Sequence, residues 1–457
     1  MSTNDFSITS LKNVYFVGIG GIGMSALARY FKAKGWNVGG YDKTPSSITD
    51  ELSKENIKVH FEDRGTEIAP PFNNLDETLV VYTPAIPKDH KELVFLKENA
   101  PHLFKRAEVL GLLTKNTKGI GVAGTHGKTT TSSMLAHMLD NSIGCNAFLG
   151  GIATNFESNL VLHDESEFTV IEADEFDRSF LHLHPFASIV TSCDPDHLDI
   201  YGNEEYFREG FQKYVEQIAE DGCLVIKYGL PLQSKAKTIT YAVGNNESDY
   251  TANNLRFENG KFLFDAKTPV ENWNSIELGI PGIHNAENAL ACIALCQFLG
   301  LNEAQIRSGL SSFKGVKRRF EFIIRKDGFT YIDDYAHHPT EIHALVSSVR
   351  LLFPEQKITG VFQPHLFTRT RDFFTAFAKE LSELDELILL PIYPARELPI
   401  EGVSSEALLG AVTLIDKKIL SPTEVIDVLK NRTSGVLLTI GAGDIDRIVE
   451  PLKRALL

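Results

Sequence analysis

Short apolar runs alternate with amphipathic helical stretches along almost the whole chain, and this alternation restricts the fold more than any other feature. Residues 14–17, 79–82, 120–122, 169–171, 188–191, 358–362, 387–390 and 436–440 read as buried strands separated by helical patterns. A chain patterned this way predicts α/β layers around mainly parallel sheets. Its 457 residues leave room for several domains. Three blocks are expected, at 1–106, 107–314 and 315–457. One stretch breaks the rhythm. Strands at 223–227 and 238–242 are followed by turn-rich sequence, Gly244-Asn245-Asn246 and Glu258-Asn259-Gly260. They predict a small meandering sheet attached to the middle block.

Charge and cysteine use remove several function classes. The net charge is -15, from 45 basic and 60 acidic side chains, whereas a nucleic-acid footprint needs clustered basic charge. Anionic ligands stay open, because backbone N–H groups bind phosphate on an acidic protein too. The five cysteines show no metal-ligand spacing. Cys292 and Cys296 lie one helical turn apart in an apolar run and read as packed thiols. The first ten residues lack the apolar core of a signal peptide. No run approaches the roughly 18 apolar residues of a membrane span. The expectation is a cytoplasmic monomer or homodimer with small-molecule partners, and with no nucleic-acid or membrane partner.

The chemistry-bearing motifs fall at strand ends. Gly18-Ile19-Gly20-Gly21-Ile22-Gly23 follows the first strand and opens a helix near Met24. Glycines there let the backbone turn tightly and approach a diphosphate at the helix N-terminus. Asp42 ends the next strand, where a ribose-binding acid would sit, so the pattern by itself also fits NAD. Ala123-Gly124-Thr125-His126-Gly127-Lys128-Thr129-Thr130 lies between a strand and a helix. It works like a P-loop: backbone amides cradle phosphate, Lys128 reaches the β/γ-phosphates and Thr129 ligates Mg²⁺. Val122 stands where the strict pattern has its first glycine. Glu172-Ala173-Asp174-Glu175 follows the next strand and is placed to hold Mg²⁺ beside that loop. The strand after it ends in Asp194-Pro195-Asp196-His197, where His197 suits a second cation or the orientation of a carboxylate.

His284-Asn285-Ala286-Glu287-Asn288 opens a later helix. Polar side chains in that position usually cap the helix, although an amide also suits an adenine edge; composition favours the cap. The last block carries Lys317-Arg318-Arg319, then Asp333-Asp334-Tyr335-Ala336-His337-His338, then Gln363-Pro364-His365-Leu366-Phe367-Thr368-Arg369. Acids, imidazoles and guanidiniums thus gather at strand carboxyl ends, where open α/β sheets build sites. Jointly they read as a site completed by closure of the last domain.

The combination resembles the Mur ligase family. The matching stretches are GIGGIGMSALA, AGTHGKTTT, EADEFDRSF, DPDHLDIYG, HNAENALA, GVKRRFE, DDYAHHPTEI, FQPHLFTRT and TIGAGDI, which together span all three blocks. The resemblance implies a Rossmann-like first domain, a P-loop-type ATPase second domain and a Rossmann-like third. It implies an ATP-dependent ligase of peptidoglycan precursor synthesis, joining L-alanine to the lactyl carboxylate of UDP-N-acetylmuramate through an acyl phosphate. The loop of Gly18, Gly20, Gly21, Ile22 and Gly23 is then expected to hold the UDP part. Gly124, Thr125, His126, Gly127, Lys128, Thr129 and Thr130 are expected on ATP, with Thr129, Glu172 and His197 on Mg²⁺. His284, Asn285 and Asn288 are expected near adenine, and Arg319 and Asp334 near the phosphates and ribose. Tyr335, His337 and Arg369 are expected at the amino acid, with Lys128, His197, His337 and Arg369 carrying the chemistry. Several relatives have a basic residue where Leu366 stands. Two alternatives remain: a family member that recycles tripeptide onto UDP-muramate, and an NAD-dependent oxidoreductase.

Overall fold

The structure is a computed structural model that describes residues 11–115, 117–195, 198–395 and 397–457. His197 lies outside the described residues. The chain forms two compact units. One comprises Met1–Asn253, Asp265–Asn274 and Asn288–Phe313, and the other Asn254–Phe264, Ser275–Glu287 and Lys314–Leu457.

The first unit begins with a five-stranded parallel sheet. Its strands are β1 (Asn13–Val17), β2 (Asn37–Tyr41), β3 (Lys58–His60), β4 (Thr78–Tyr82) and β5 (Leu103–Lys105), in the order β3-β2-β1-β4-β5. Val14, Phe16 and Val17 have no solvent exposure, as expected for a strand covered on both faces. The order reverses beside β1. Its carboxyl end, where Gly18 begins, therefore lies at a topological switch point.

The second sheet is built on β6 (Lys118–Ala123), β7 (Asn146–Ala153), β8 (Ser158–Val161), β9 (Phe168–Glu172), β10 (Pro185–Val190), β11 (Cys223–Lys227), β12 (Lys237–Val243), β13 (Tyr250–Glu258), β14 (Lys261–Lys267) and β15 (Asn272–Leu278). The order is β15-β14-β13-β12-β11-β10-β6-β9-β7-β8. The stretch after residue 223, expected as a small meandering sheet attached to the middle block, runs in chain order as a continuation of the main sheet itself. β11 pairs in parallel with β10, β12 with β11, and β13 with β12, so these strands prolong the main sheet. Cys223, Leu224 and Val225 are fully buried in succession, the signature of an interior parallel strand. Turn residues mark where a strand stops; they do not say which edge it joins.

Within the first unit, the helix after the glycine loop (Ile22–Ala33) is tied to β8. The fully buried Asn159 donates to the Ile22 carbonyl at 2.6 Å and to Ser25 Oγ at 3.0 Å, and it accepts from Arg29 Nη1 at 2.6 Å. Arg29 in turn pairs with Glu51 and Glu55.

The second unit holds β16 (Glu321–Lys326), β17 (Phe329–Asp334), β18 (Ile358–Phe362), β19 (Glu386–Leu389), β20 (Lys417–Ile419) and β21 (Gly435–Ile440), ordered β16-β17-β21-β18-β19-β20. β16 is antiparallel to β17 and the other pairs are parallel. Glu386 is buried at the start of β19. It accepts from Arg432 at 2.6 Å and Thr359 at 3.0 Å, with Lys357 at 3.3 Å and Lys418 at 3.5 Å. Burial pushes its carboxyl up, but Arg432, Thr359 and Lys357 outweigh that and bring it down to about 2. A carboxyl lowered on folding stabilises above its unfolded value, and that stability is lost as pH falls towards the folded value. Glu386→Ala, which strands the cations, is expected to destabilise by about 3 kcal/mol. Glu386→Gln should flatten the stability–pH slope between about pH 4.5 and 2. Chemical denaturation across that range measures both; an unchanged slope would show that Glu386 is not the titrating group.

Candidate active site

The P-loop leaves β6 between two neighbours that aim acids and hydroxyls at it. β6 pairs with β9 on one side, Val122 opposite Glu172, and with β10 on the other, Ala123 opposite Val190. Gly127 adopts φ +79° immediately before the helix Lys128–Asp140, and a side chain there would meet Asn288 Oδ1. Glycine is the residue that takes this backbone without strain. The loop is held to the end of β10. Thr125 Oγ1 donates to the Asp194 carbonyl at 2.7 Å, the His126 amide to Ser192 Oγ at 2.9 Å, and Thr191 Oγ1 to the His126 carbonyl at 2.5 Å. Thr129 and Thr130 are buried in the first helical turn, where the backbone N–H groups have no intrahelical acceptor and favour an anion.

Lys128 is nearly enclosed. Its ammonium donates to the Gly124 carbonyl at 2.6 Å and to Glu175 Oε1 and Oε2 at 2.8 and 2.7 Å. Burial disfavours its charge, but Glu175, Asp174 and Glu172 outweigh that and hold its pKa above the ordinary lysine value. Glu175 was legible only as one acid of four residues; its partner was not. Glu172 Oε2 is buried without a hydrogen-bond partner among the described residues. An orphaned carboxylate oxygen on the strand next to the P-loop strand suits a hard cation.

The glycine loop satisfies most of its own amides. Gly18 and Ile19 donate to the Tyr41 carbonyl, Gly20 to Asp42 Oδ2 at 2.7 Å and Gly21 to the Gly18 carbonyl. Gly18 has φ +96°. Among the described residues, the first amides of the following helix, at Ile22 and Gly23, have no intrahelical acceptor. Asp42, the acid that suggested NAD, also accepts from the Thr44 amide and is turned onto its own loop. A side chain at Gly23 would strike the Arg106 guanidinium, which pairs with Asp174 at 3.3 Å. Arg106 was not singled out from the sequence, because nothing local marks it.

His284 and Asn285 start the helix Ile283–Phe298, and Asn288 lies one turn on. Asn285 donates its amide to the Pro281 carbonyl at 2.6 Å. Among the described residues it accepts nothing from the helix, so Asn285 does not act as the expected cap: its side chain is oriented backwards, away from the amides a cap serves. His284 Nδ1 is buried and unpartnered among the described residues. Burial first and then Arg319 lower its pKa to about 4.

The second unit gathers its predicted residues at the carboxyl ends of β17, β18 and β21. Asp334 accepts from the Phe320 amide at 2.7 Å and the Ala336 amide at 2.8 Å. Burial raises its pKa to about 6 against the pull of Arg319. The Arg318 and Arg319 guanidiniums lie 5.2 and 4.9 Å from the Tyr335 ring centroid. His337 Nδ1 sits 3.0 Å from the Tyr335 carbonyl and 3.3 Å from Glu341, and its ring lies 6.1 Å from that of His365. Burial lowers both imidazoles, His365 to about 4, and the Arg369 charge lowers them further. Gln363 donates to Asp444 at 2.8 Å and accepts from the Ile445 amide at 2.9 Å, joining the QPH and GAGD segments. Leu366 has φ +70° before the helix Phe367–Asp372.

Comparison with known proteins agrees with this layout. Three family models match in succession: Mur ligase family, catalytic domain, over 13–118; Mur ligase middle domain, over 122–296; and Mur ligase, glutamate ligase domain, over 318–445. The UDP-N-acetylmuramate–L-alanine ligase of Parabacteroides distasonis is 52% identical over 454 residues, covering 98% of both chains. The crystal structure of the UDP-N-acetylmuramate-alanine ligase MurC of Thermotoga maritima superposes with a TM-score of 0.83 at 28% identity, over 97% of this chain and 98% of that one. A murein peptide ligase from Psychrobacter arcticus shares the fold, with a TM-score of 0.72 at 21% identity over 97% and 98% of the two chains. With matching sequence and architecture along its whole length, the chain belongs to the Mur ligase family.

Proposed function

We propose that this protein joins L-alanine to the lactyl carboxylate of UDP-N-acetylmuramate, converting ATP to ADP and phosphate, in cytoplasmic peptidoglycan precursor synthesis. The observation that carries the proposal is the enclosed Lys128 next to the orphaned Glu172 oxygen, in a chain 52% identical to such a ligase over its full length. Among the described residues no helix is long and apolar enough to cross a membrane.

A carboxylate is a poor electrophile, so the reaction needs an acyl phosphate. The γ-phosphoryl group passes to the lactyl carboxylate and ADP leaves; the amine of alanine then displaces phosphate and loses a proton. Lys128 neutralises the repulsion between the two anions and the charge spread over the transferred group. Thr129 and Glu172 would hold Mg²⁺, which supplies further positive charge there. The loop Gly124, Thr125, His126 and Gly127, with the helix start at Thr130, cradles the triphosphate. His284, Asn285 and Asn288 meet the adenine, and Arg319 and Asp334 the phosphates and ribose. The helix amides after Gly18, Gly20 and Gly21 take the UDP diphosphate. Tyr335 and Arg369 hold the amino acid. Burial lowers the His337 pKa, which favours the neutral imidazole that can receive the amine proton. The domains that carry these sets are 1–106, 107–314 and 315–457.

Phosphate release with ATP, UDP-N-acetylmuramate and a panel of amines tests the reading. L-Alanine should be preferred. A pocket sized for one methyl gains about 1–3 kcal/mol over glycine, so glycine should be a poor but detectable substrate. Preference for a tripeptide beginning with L-alanine would overturn the proposal in favour of a recycling ligase.

A further inference from the structure

We propose that Glu175 is a counter-ion that holds Lys128 within the P-loop and competes with nucleotide phosphate for it. The inference rests on the reading of that loop as the ATP site. An ammonium has three N–H donors. Lys128 meets three acceptors: the Gly124 carbonyl at 2.6 Å and the two Glu175 oxygens at 2.8 and 2.7 Å. Its hydrogen-bonding capacity is full, so a phosphate oxygen reaches it only by displacing one of them. The Gly124 carbonyl belongs to the loop backbone and does not swing away. The carboxylate is the exchangeable partner.

The Glu175 backbone is held in place independently of Lys128. Its backbone carbonyl accepts from the buried Tyr201 hydroxyl at 2.7 Å. Its side chain is 3% exposed, against 14% for Lys128. Handing the ammonium to phosphate therefore leaves a buried carboxylate without its cation, a state that opposes binding. The charged neighbours on the same segment, Asp174 and Glu172, are also acids and give no relief. Arg178, the nearest cation on that segment, lies over the Tyr201 ring at 5.0 Å. Glu175 thus weakens nucleotide binding and reclaims Lys128 when ADP leaves, which favours product release.

Titration calorimetry with ADP in excess chelator, on the full chain, tests the exchange without metal. Glu175→Gln removes the charge and should bind ADP about tenfold more tightly than the wild type, the scale of one lost charge-assisted hydrogen bond. Glu175→Leu should show the same gain and provides the answer should the glutamine variant not fold. In a Lys128→Met background the gain should vanish, which a merely structural role of Glu175 would not produce. Unchanged or weaker ADP binding by both variants, or an equal gain without Lys128, would overturn the proposal. Absence of any ADP binding by the wild type would instead sink the ATP-site reading itself.

Discussion

Lys128→Met is expected to lower turnover at least about a thousandfold, the scale seen when a cation facing a transferred phosphoryl group is lost. Affinity for UDP-N-acetylmuramate should stay within about threefold. Lys128 opens a helix after β6, whereas the glycine loop follows β1 in a different sheet. Sites with no shared partner act nearly independently. The variant also leaves Glu175 buried without its cation, at a cost of about 3–5 kcal/mol. Thermal denaturation should therefore show a loss that the double variant Lys128→Met/Glu175→Gln largely restores, while turnover stays absent. Turnover and direct titration with the UDP-sugar measure the two halves. Loss of UDP-sugar binding in a variant that remains folded would mean that the two loops do not bind separate parts of the substrates.

Arg369→Lys is expected to reduce kcat/KM for L-alanine about a hundredfold, mostly through KM. Arg369 has no ion-pair partner among the described residues. Its charge acts on His337 and His365, whose pKa values are lowered first by burial. A partly buried guanidinium acting on two imidazoles of lowered pKa suits a carboxylate from outside. Lysine offers a point charge and cannot reproduce a bidentate fork. Losing one partner of such a pair costs about 2–5 kcal/mol. Alanine amide should fail with the wild-type enzyme for the same reason. Steady-state kinetics with both amines is the measurement. An equal loss with alanine and alanine amide would place Arg369 on the acyl phosphate instead.

The cores and the loops were legible because they depend on local pattern. A continuous apolar run before a glycine-rich turn and a helix has one economical structure, and β1 with Gly18 and β6 with Gly124 follow from it. The same holds for the acids ending β9 and the imidazoles after β17, since position along a parallel strand already places them on the site edge. Pairing was not legible. The turns at Gly244 and Gly260 suggested a small sheet attached to the middle block, yet β11 to β13 prolong the main one, because edge choice is decided by which buried face the neighbour offers. The orientation of Asn285 was not legible either. Capping and back-bonding use the same residue type, and only the nearby Pro281 carbonyl selects between them. By itself the sequence determined the main strand–helix alternation, the family and the candidate residues. Only the tertiary structure decided that Glu175 pairs with Lys128, that Asn159 ties β8 to the glycine-loop helix, and that Arg106 lies over Gly23. Those contacts join residues 47, 137 and 83 positions apart in the chain, and a hydrogen bond or ion pair across such a span leaves no periodic trace in the sequence around either partner.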